Sequence, residues 1–453
     1  MSLRGIILAV ILLGSLPLCF LRPFYGIALW TIMAFVNPHS YAWGVETLPW
    51  AQMVILPTIA GVLVFNREGW DALKTREGLL IIALWGWFGI TTLVSTNDPM
   101  FQHHSSYTIQ RWTDVSKILF ATILTIPVLN SFERLRMFVL VVAGCFGVFI
   151  LKSVPFMILS GGAYRIYGPP DSMIADNNDF GLALNMTLPL FFFLAQTESR
   201  PWLKRVLVFL ALATIPAILF TYSRGALVGL LAIGALMFIR LPMQQRLLMT
   251  PVILIGLTVA VVFAPDSWQY RMKSITNYST DSSAQGRLNA WRFAINLAAD
   301  YPIRGGGFGT FTEELYSRYS FVRTEEALTA HSVYFQLLAD HGYVGLLLYL
   351  ALMGSAFLTT SRLYKQAEMR DDSVAMRYAN MFRFSLIGFA ASGAFLSRAY
   401  FDYFFCIIAC VAVLKSIAQQ AWSQDEAKQE DAEESIPAGD RGPYAFPQPR
   451  EAQ

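Results

Sequence analysis

Four cationic or titratable side chains have the types and surroundings for chemistry: Arg165, Arg224, Arg287 and His331. Arg224 lies in a tight turn, Thr221-Tyr222-Ser223-Arg224-Gly225, between two apolar runs. Arg165 follows Lys152 into a short polar loop, and Arg287 sits within Gly286-Arg287-Leu288-Asn289-Ala290-Trp291. A guanidinium presents a planar fork of donors that suits phosphate oxygens, and a cation placed at a membrane face usually meets an anion. The competing role for each is snorkelling to lipid headgroups. His331 opens a stretch that also holds Tyr334, Gln336 and Asp340. Imidazole titrates near neutrality, so it can take a proton from an attacking hydroxyl; at the start of a helix it can equally be a cap. Arg111, Lys152, Tyr334 and Asn178 are further candidates for contacting substrate. Asn178 belongs to the polar string Asp176-Asn177-Asn178-Asp179, which can bind sugar hydroxyls or ions, or simply turn the chain.

Other chemistries lack their residues. No glycine-rich phosphate loop precedes a helix, and there is no nucleophile elbow and no acidic pair for a nucleotide-sugar metal. Gly305-Gly306-Gly307-x-Gly309 follows a helical pattern rather than a strand, so a dinucleotide site fails its context. His103 and His104 are adjacent, which makes sharing one ion difficult, and His39 is isolated; no metal and no cofactor are expected. The four cysteines lie in apolar segments without metal or redox spacing and read as buried thiols. A net charge of +3 is too small to suggest nucleic acid.

The elements that must position these residues belong to a membrane. The 453-residue chain is 55% hydrophobic and 14% charged, with mean hydropathy +0.46. A membrane helix needs about 20 mainly apolar residues. Spans are expected near 5–21, 24–37, 50–66, 78–95, 115–130, 136–159, 179–196, 204–222, 225–240, 248–264 and 333–361. The apolar stretch 381–418, interrupted by Arg398 and Asp402, reads as a hairpin of two short spans. This makes an all-α polytopic protein of about 12 transmembrane helices. Residues 1–264 form the first membrane part, 265–332 one large outer loop, 333–420 the second membrane part and 421–453 a disordered acidic tail. Lys and Arg concentrate at 66–78, 134–136, 200–205, 240–246 and 362–383, which can all face the cytoplasm together. The segments 38–49, 96–114, 160–178, 221–224 and 265–332 then lie outside. Taken separately, the first two spans put the N-terminus outside as well; they can also be read as one broken unit. The first run lacks a small-x-small cleavage site and reads as a retained membrane segment. Within the large loop, Leu288, Trp291, Ile295 and Ala298 fall on one face of an amphipathic helix closed by Tyr301-Pro302. A second short helix is expected around Thr312 to Ser320.

Four runs in this order resemble the O-antigen ligase and polymerase superfamily: Ser-Arg-Gly at 223–225, Gly-Arg-x-x-x-Trp at 286–291, Gly-Gly-Gly-Phe-Gly at 305–309, and the His-Ser-led pattern at 331–345. The opening Phe-Leu-Arg-Pro-Phe-Tyr-Gly-Ile-Ala-Leu-Trp at 20–30 with Asn-Pro-His-Ser-Tyr-Ala-Trp-Gly at 37–44 is similar to the exosortase-associated O-glycosylation ligase subgroup. The resemblance implies a bacterial inner-membrane glycosyltransferase with a GT-C-like fold and its active site facing the periplasm. It implies a glycan donor carried on undecaprenyl pyrophosphate, an inverting reaction and no metal. It also implies that Arg224 and Arg287 hold the diphosphate, helped by Arg165, and that His331 acts on the acceptor. The acceptor favoured is a lipid A–core sugar. A second lipid-linked chain or a protein hydroxyl would use the same site. A lipid-linked glycan transporter is the rival from another class; it would call for ionisable residues or paired broken helices near mid-membrane, whereas the charges here cluster at span ends.

Overall fold

The computed structural model describes residues 2–45, 48–66, 68–161, 163–240, 242–244, 246–247, 250–251, 282–320 and 327–434; the expected span 248–264 and the start of the outer loop lie almost wholly outside them. Fourteen α-helices are described: α1 (Leu3–Leu21), α2 (Pro23–Val36), α3 (Trp50–Phe65), α4 (Arg76–Thr96), α5 (Ser105–Val128), α6 (Phe132–Leu159), α7 (Asn177–Thr197), α8 (Pro201–Phe220), α9 (Arg224–Arg240), α10 (Ser282–Asp300), α11 (Glu313–Tyr319), α12 (Val333–Met369), α13 (Ser373–Gly393) and α14 (Asp402–Glu434). Their starts follow local rules. Pro23 and Pro201 occupy first-turn positions, and Asp176, Thr312 and Asp372 cap α7, α11 and α13 with their side chains.

Among the described residues seven helices are long and apolar enough to cross a bilayer: α1, α4, α6, α7, α8, α12 and α14. Helices α2 and α3 are apolar but shorter. Helices α5, α9 and α13 pack among them and carry charges, including Arg111 and Lys117 on α5 and Arg377 and Arg383 on α13. Length and composition therefore support a multi-pass membrane protein without reaching the expected twelve. The two ends of the bundle are sorted as the charge pattern requires. Ser2 N–H donates to the Trp43 carbonyl (3.0 Å), Asn37 to the Pro170 carbonyl (2.9 Å), and Arg304 pairs with Asp98, all linking expected outer segments. At the other end Asn66 donates to the Pro127 carbonyl (3.1 Å) and Arg136 pairs with Glu198. The first two spans are separate helices that break at Arg22-Pro23, beside Asn66 and Arg134, so Ser2 stands at the same end as Trp43 and away from that break.

Two expectations are corrected. The stretch 381–418 does divide at Arg398, but its second helix is long and runs to Glu434, past the assigned start of the tail. The extension is held down: Arg370 pairs with Glu426 (2.8 Å), Trp422 donates to Asp372 (3.1 Å), and the Arg370 guanidinium lies 5.0 Å from the Trp422 ring. In the outer loop α10 exists as expected, but its buried stripe is Ala290, Phe293, Ala294, Leu297 and Ala298, leaving Ile295 46% exposed and Leu288 36%. The large ring decides the rotation, because Phe293 stacks on Tyr316 of α11 (4.5 Å, 16°) in a small core of its own.

Helix α7 is the most enclosed span, and it meets α9 and α13 through small and polar residues. Asn185 Nδ2 donates to the Ala226 carbonyl (2.7 Å) and to Ser392 Oγ (3.0 Å), so one amide ties three helices. Between helices in lipid the hydrophobic effect contributes little; close approach and hydrogen bonds hold the contact. A methyl group at Gly229 would collide with Ser392 Oγ and come within 2.7 Å of Asn185 Nδ2, whereas one at Gly234 would meet nothing within 4 Å. Gly229→Leu is therefore expected to lower stability by about 1–3 kcal/mol or more through overpacking. Thermal unfolding in detergent should show a lower midpoint for Gly229→Leu and an unlowered one for Gly234→Leu; equal midpoints would contradict this packing.

Candidate active site

Four chain segments come together around His331 at one end of the bundle. The loop helix α10 brings Trp291, whose indole donates to the Ala330 carbonyl (2.9 Å) and stacks on Phe335 (4.9 Å, 13°). Arg287 lies four residues earlier, on the same face of the helix, and so is carried toward His331. The first turn of α12 follows His331 directly. His331 itself holds a left-handed backbone (φ 44°), unusual for a residue with a side chain, and its N–H donates to Ser397 Oγ at 2.7 Å. Ser397 belongs to the non-helical segment 394–401 between α13 and α14. The fourth segment is the start of α7. Asn177 Nδ2 donates to the Thr221 carbonyl (2.7 Å), fixing the turn that carries Arg224. A methyl group at Gly225 would lie 3.0 Å from Phe395, so the same turn also presses on the 394–401 segment.

The outer loop is braced from below. Gly305 and Gly307 adopt positive φ (62° and 84°), and the Gly306 and Gly307 N–H groups donate to the Ala339 and Asp340 carbonyls (2.9 and 2.8 Å). Any side chain at Gly305 would run into that backbone, with Ala339 O only 2.5 Å away. Helix α12 is kinked where they meet, at Gly342 (φ 66°, ψ −169°). The Asp340 carboxylate, fully enclosed, accepts from the Thr310 hydroxyl (2.7 Å) and the Tyr400 hydroxyl (2.7 Å). His341 is buried in the same place, stacked on Phe88 (4.1 Å) with Nδ1 2.7 Å from Thr91 Oγ1. His103 bridges Glu314 and Thr312 (3.2 Å each) and contacts His104, so the adjacent pair fastens α11 to the bundle.

Burial, followed by the charge of Arg287, lowers the His331 pKa from 6.5, and the Asp176 carboxylate opposes them. The imidazole is thus neutral at physiological pH and able to accept a proton, with a cation and an anion acting on it from opposite segments. Arg224 is half-buried in its turn next to Phe395. The other expected residues are placed differently. Arg165 is exposed, on a loop anchored where Ile166 N–H donates to the Phe220 carbonyl (3.0 Å), one residue before the Arg224 turn. Lys152 stands on α6 with its ammonium 5.7 Å from the Tyr41 ring. Arg111 on α5 acts electrostatically on Asp340 and Tyr400. Tyr334 spends its hydroxyl on the Ala390 carbonyl (3.0 Å), and Asn178 its amide on Asp176 (2.8 Å). Asp176 and Asp179, read from sequence only as part of a polar string that binds or turns, face His331 and Arg398 respectively; Ser397 was not singled out, and Arg398 was visible only as a charge that interrupts an apolar run.

The described helices make an all-α, multi-pass membrane protein, with Arg287 and Asp176 acting on His331 at one end of the bundle. Residues 206–350 match the O-antigen ligase family (Wzy_C), which supports membership of the O-antigen ligase and polymerase superfamily and a ligase- or polymerase-type function. Residues 3–199 match a family of unknown function (DUF5935). No match is found among curated proteins. The first match holds Arg224, Arg287 and His331, the second holds Asp176 and Asp179, and Ser397 and Arg398 lie outside both.

The titration of His331 can be read by peptide-resolved carbethoxylation, which requires the neutral ring. Because Arg287 pushes the pKa down, Arg287→Gln should move the midpoint up toward 6.5; because Asp176 pushes it up, Asp176→Asn should move it further down. Shifts of the opposite sign would place those charges elsewhere.

Proposed function

We propose that this protein transfers an O-antigen glycan from undecaprenyl pyrophosphate to a sugar hydroxyl of lipid A–core, with inversion and without a metal, at the periplasmic face of the bacterial inner membrane. The observation that supports this reading is Arg287 acting on a half-buried His331, while the segment that receives the His331 N–H also lies against the turn that carries Arg224. The guanidiniums, with Arg165 at the rim, would hold the donor diphosphate and stabilise the charge that grows on it as the bond from C1 to the phosphate oxygen breaks. The acceptor hydroxyl attacks C1 from the opposite face and gives its proton to His331. Undecaprenyl pyrophosphate leaves with the electron pair of the broken bond, and the new glycosidic bond replaces it. Both lipid-borne substrates would enter sideways from the outer leaflet, so the chemistry needs to stand at the water boundary, where the cations are.

Purified protein with a lipid-linked glycan, offered lipid A–core, a second lipid-linked chain and a pilin-like protein in competition, distinguishes the acceptors. Product on lipid A–core is expected; product on either competitor alone would reassign the acceptor while keeping the donor site. His331→Ala should abolish transfer in a folded, inserted protein, and wild-type amounts of long-chain lipopolysaccharide in that variant would remove its role. Arg224→Ala and Arg287→Ala should each weaken donor binding by roughly 1.5–3 kcal/mol, the worth of a hydrogen bond to a charged group. Transfer should also persist in EDTA; loss of activity restored by a divalent ion would require a metal.

A further inference from the structure

The segment 394–401 grips the first turn of α12 at two points. Ser397 Oγ accepts the His331 N–H (2.7 Å), and the Ala399 N–H donates to Gln336 Oε1 (3.1 Å). Between these two residues Arg398 reaches the other way and pairs with Asp179 in the first turn of α7. The Asp179 side chain is 9% exposed and that of Arg398 27%, so the pair is largely withdrawn from water. Two residues before Asp179, Asn177 holds the Thr221 carbonyl of the turn that carries Arg224. A continuous line of contacts therefore runs from His331 through Ser397, Arg398, Asp179 and Asn177 to the Arg224 turn. It links His331 to the Arg224 turn across four segments, two of which also lie close where Gly225 faces Phe395.

His331 needs such support. Its φ of 44° is a strained value for a residue with a Cβ, and such a conformation persists only where its surroundings impose it. The Ser397 hydroxyl receives the His331 N–H, a backbone donor that lies outside the helix. Ser397 itself lies in irregular backbone, held on one side by Ala399 on Gln336 and Tyr400 on Asp340, and on the α7 side by the neighbouring ion pair. Removing one partner of such a pair leaves the other charge buried and alone, so the pair is strongly directional in what it enforces. The Asp179 carboxylate takes up one Nη of Arg398 and offsets its charge.

We propose that the Arg398–Asp179 ion pair, acting through Ser397, positions His331 for proton transfer, and that Arg398 is not a ligand of the diphosphate. The inference rests on His331 being the base of the proposed transfer, and its test has a readout independent of that activity. Full-length protein in lipid nanodiscs is compared as wild type, Ser397→Ala, Arg398→Gln, Arg398→Lys and the exchange pair Asp179→Arg with Arg398→Asp. His331 carbethoxylation across pH and the kcat and KM of glycan transfer are measured on each. In Ser397→Ala and Arg398→Gln the His331 midpoint should rise toward 6.5 and its ring should react faster, with His103 unchanged. The kcat should fall about 10- to 100-fold, the scale of a misplaced catalytic group, with KM for the donor unchanged. Arg398→Lys and the exchange pair should recover part of both. A folded variant with unaltered His331 reactivity overturns the proposal, as does a raised KM at constant kcat, which would make Arg398 a diphosphate ligand. If Arg398→Gln does not fold, Asp179→Asn tests the pair and Ser397→Ala, which deletes a single hydroxyl, tests the link to His331 by the same two readouts. Should the wild type transfer no glycan while His331 reactivity responds as expected, the functional reading fails and the positioning role stands.

Discussion

The Trp291 indole is the contact on which the site depends. By donating to the Ala330 carbonyl and lying flat on Phe335, it fixes an outer-loop helix against the start of a membrane helix. The glycine strap on Ala339 and Asp340 and the Thr310–Asp340 contact act with it to keep Arg287 and His331 in one body, and the small core under α10 itself draws Phe101 and Ala339 from the bundle. An indole is well suited to this because it offers a large rigid surface and one donor, so a single residue supplies both packing and direction.

Irregular backbone at membrane depth has to be satisfied within the protein, because lipid offers no hydrogen bonds. Both irregular stretches near the mouth obey this. The kink at Gly342 lets Tyr343 N–H donate to the Pro302 carbonyl (2.8 Å), while Ala339 and Asp340 lend their carbonyls to the glycine strap. The 394–401 segment is held by Gln336, by the contact of Ser397 with His331, and by Tyr400, whose hydroxyl reaches Asp340. Buried polar groups here are therefore structural ties between the loop and the bundle, and Asp340 in particular joins three segments with one carboxylate. Polar residues near membrane depth often mark transport routes; in this chain those with assigned partners near the mouth are spent on bracing an opening at one end.

Much of this was legible in the residue pattern. Apolar runs of the right length marked the spans, because that signal is local. Charge asymmetry sorted the bundle ends, as the cross-links between Asn37 and Pro170 and between Arg136 and Glu198 agree. The short helix begun by Thr312 was expected for the same local reasons. The rotation of α10 was not legible: Leu288 and Ile295 are as apolar as the residues that are buried, and only the position of Tyr316 selects the Phe293 face. The length of α14 was missed because acidic, alanine-rich sequence reads as a solvated tail, while Arg370 and Asp372, some fifty residues away, hold it as helix.

The sequence by itself determined that this chain carries several runs long and apolar enough to span a membrane, with arginines and histidines in the segments between them, because bilayer thickness and charge placement act on each segment separately. Only the tertiary structure decided which of those charges meet. Arg287 reached His331 while Lys152 went to Tyr41 and Arg111 toward Asp340, and Asp176, Ser397 and Arg398 joined the mouth from segments far apart in the chain. Electrostatic and hydrogen-bonding partners act over a few ångströms, a distance fixed by helix packing and not by spacing along the chain.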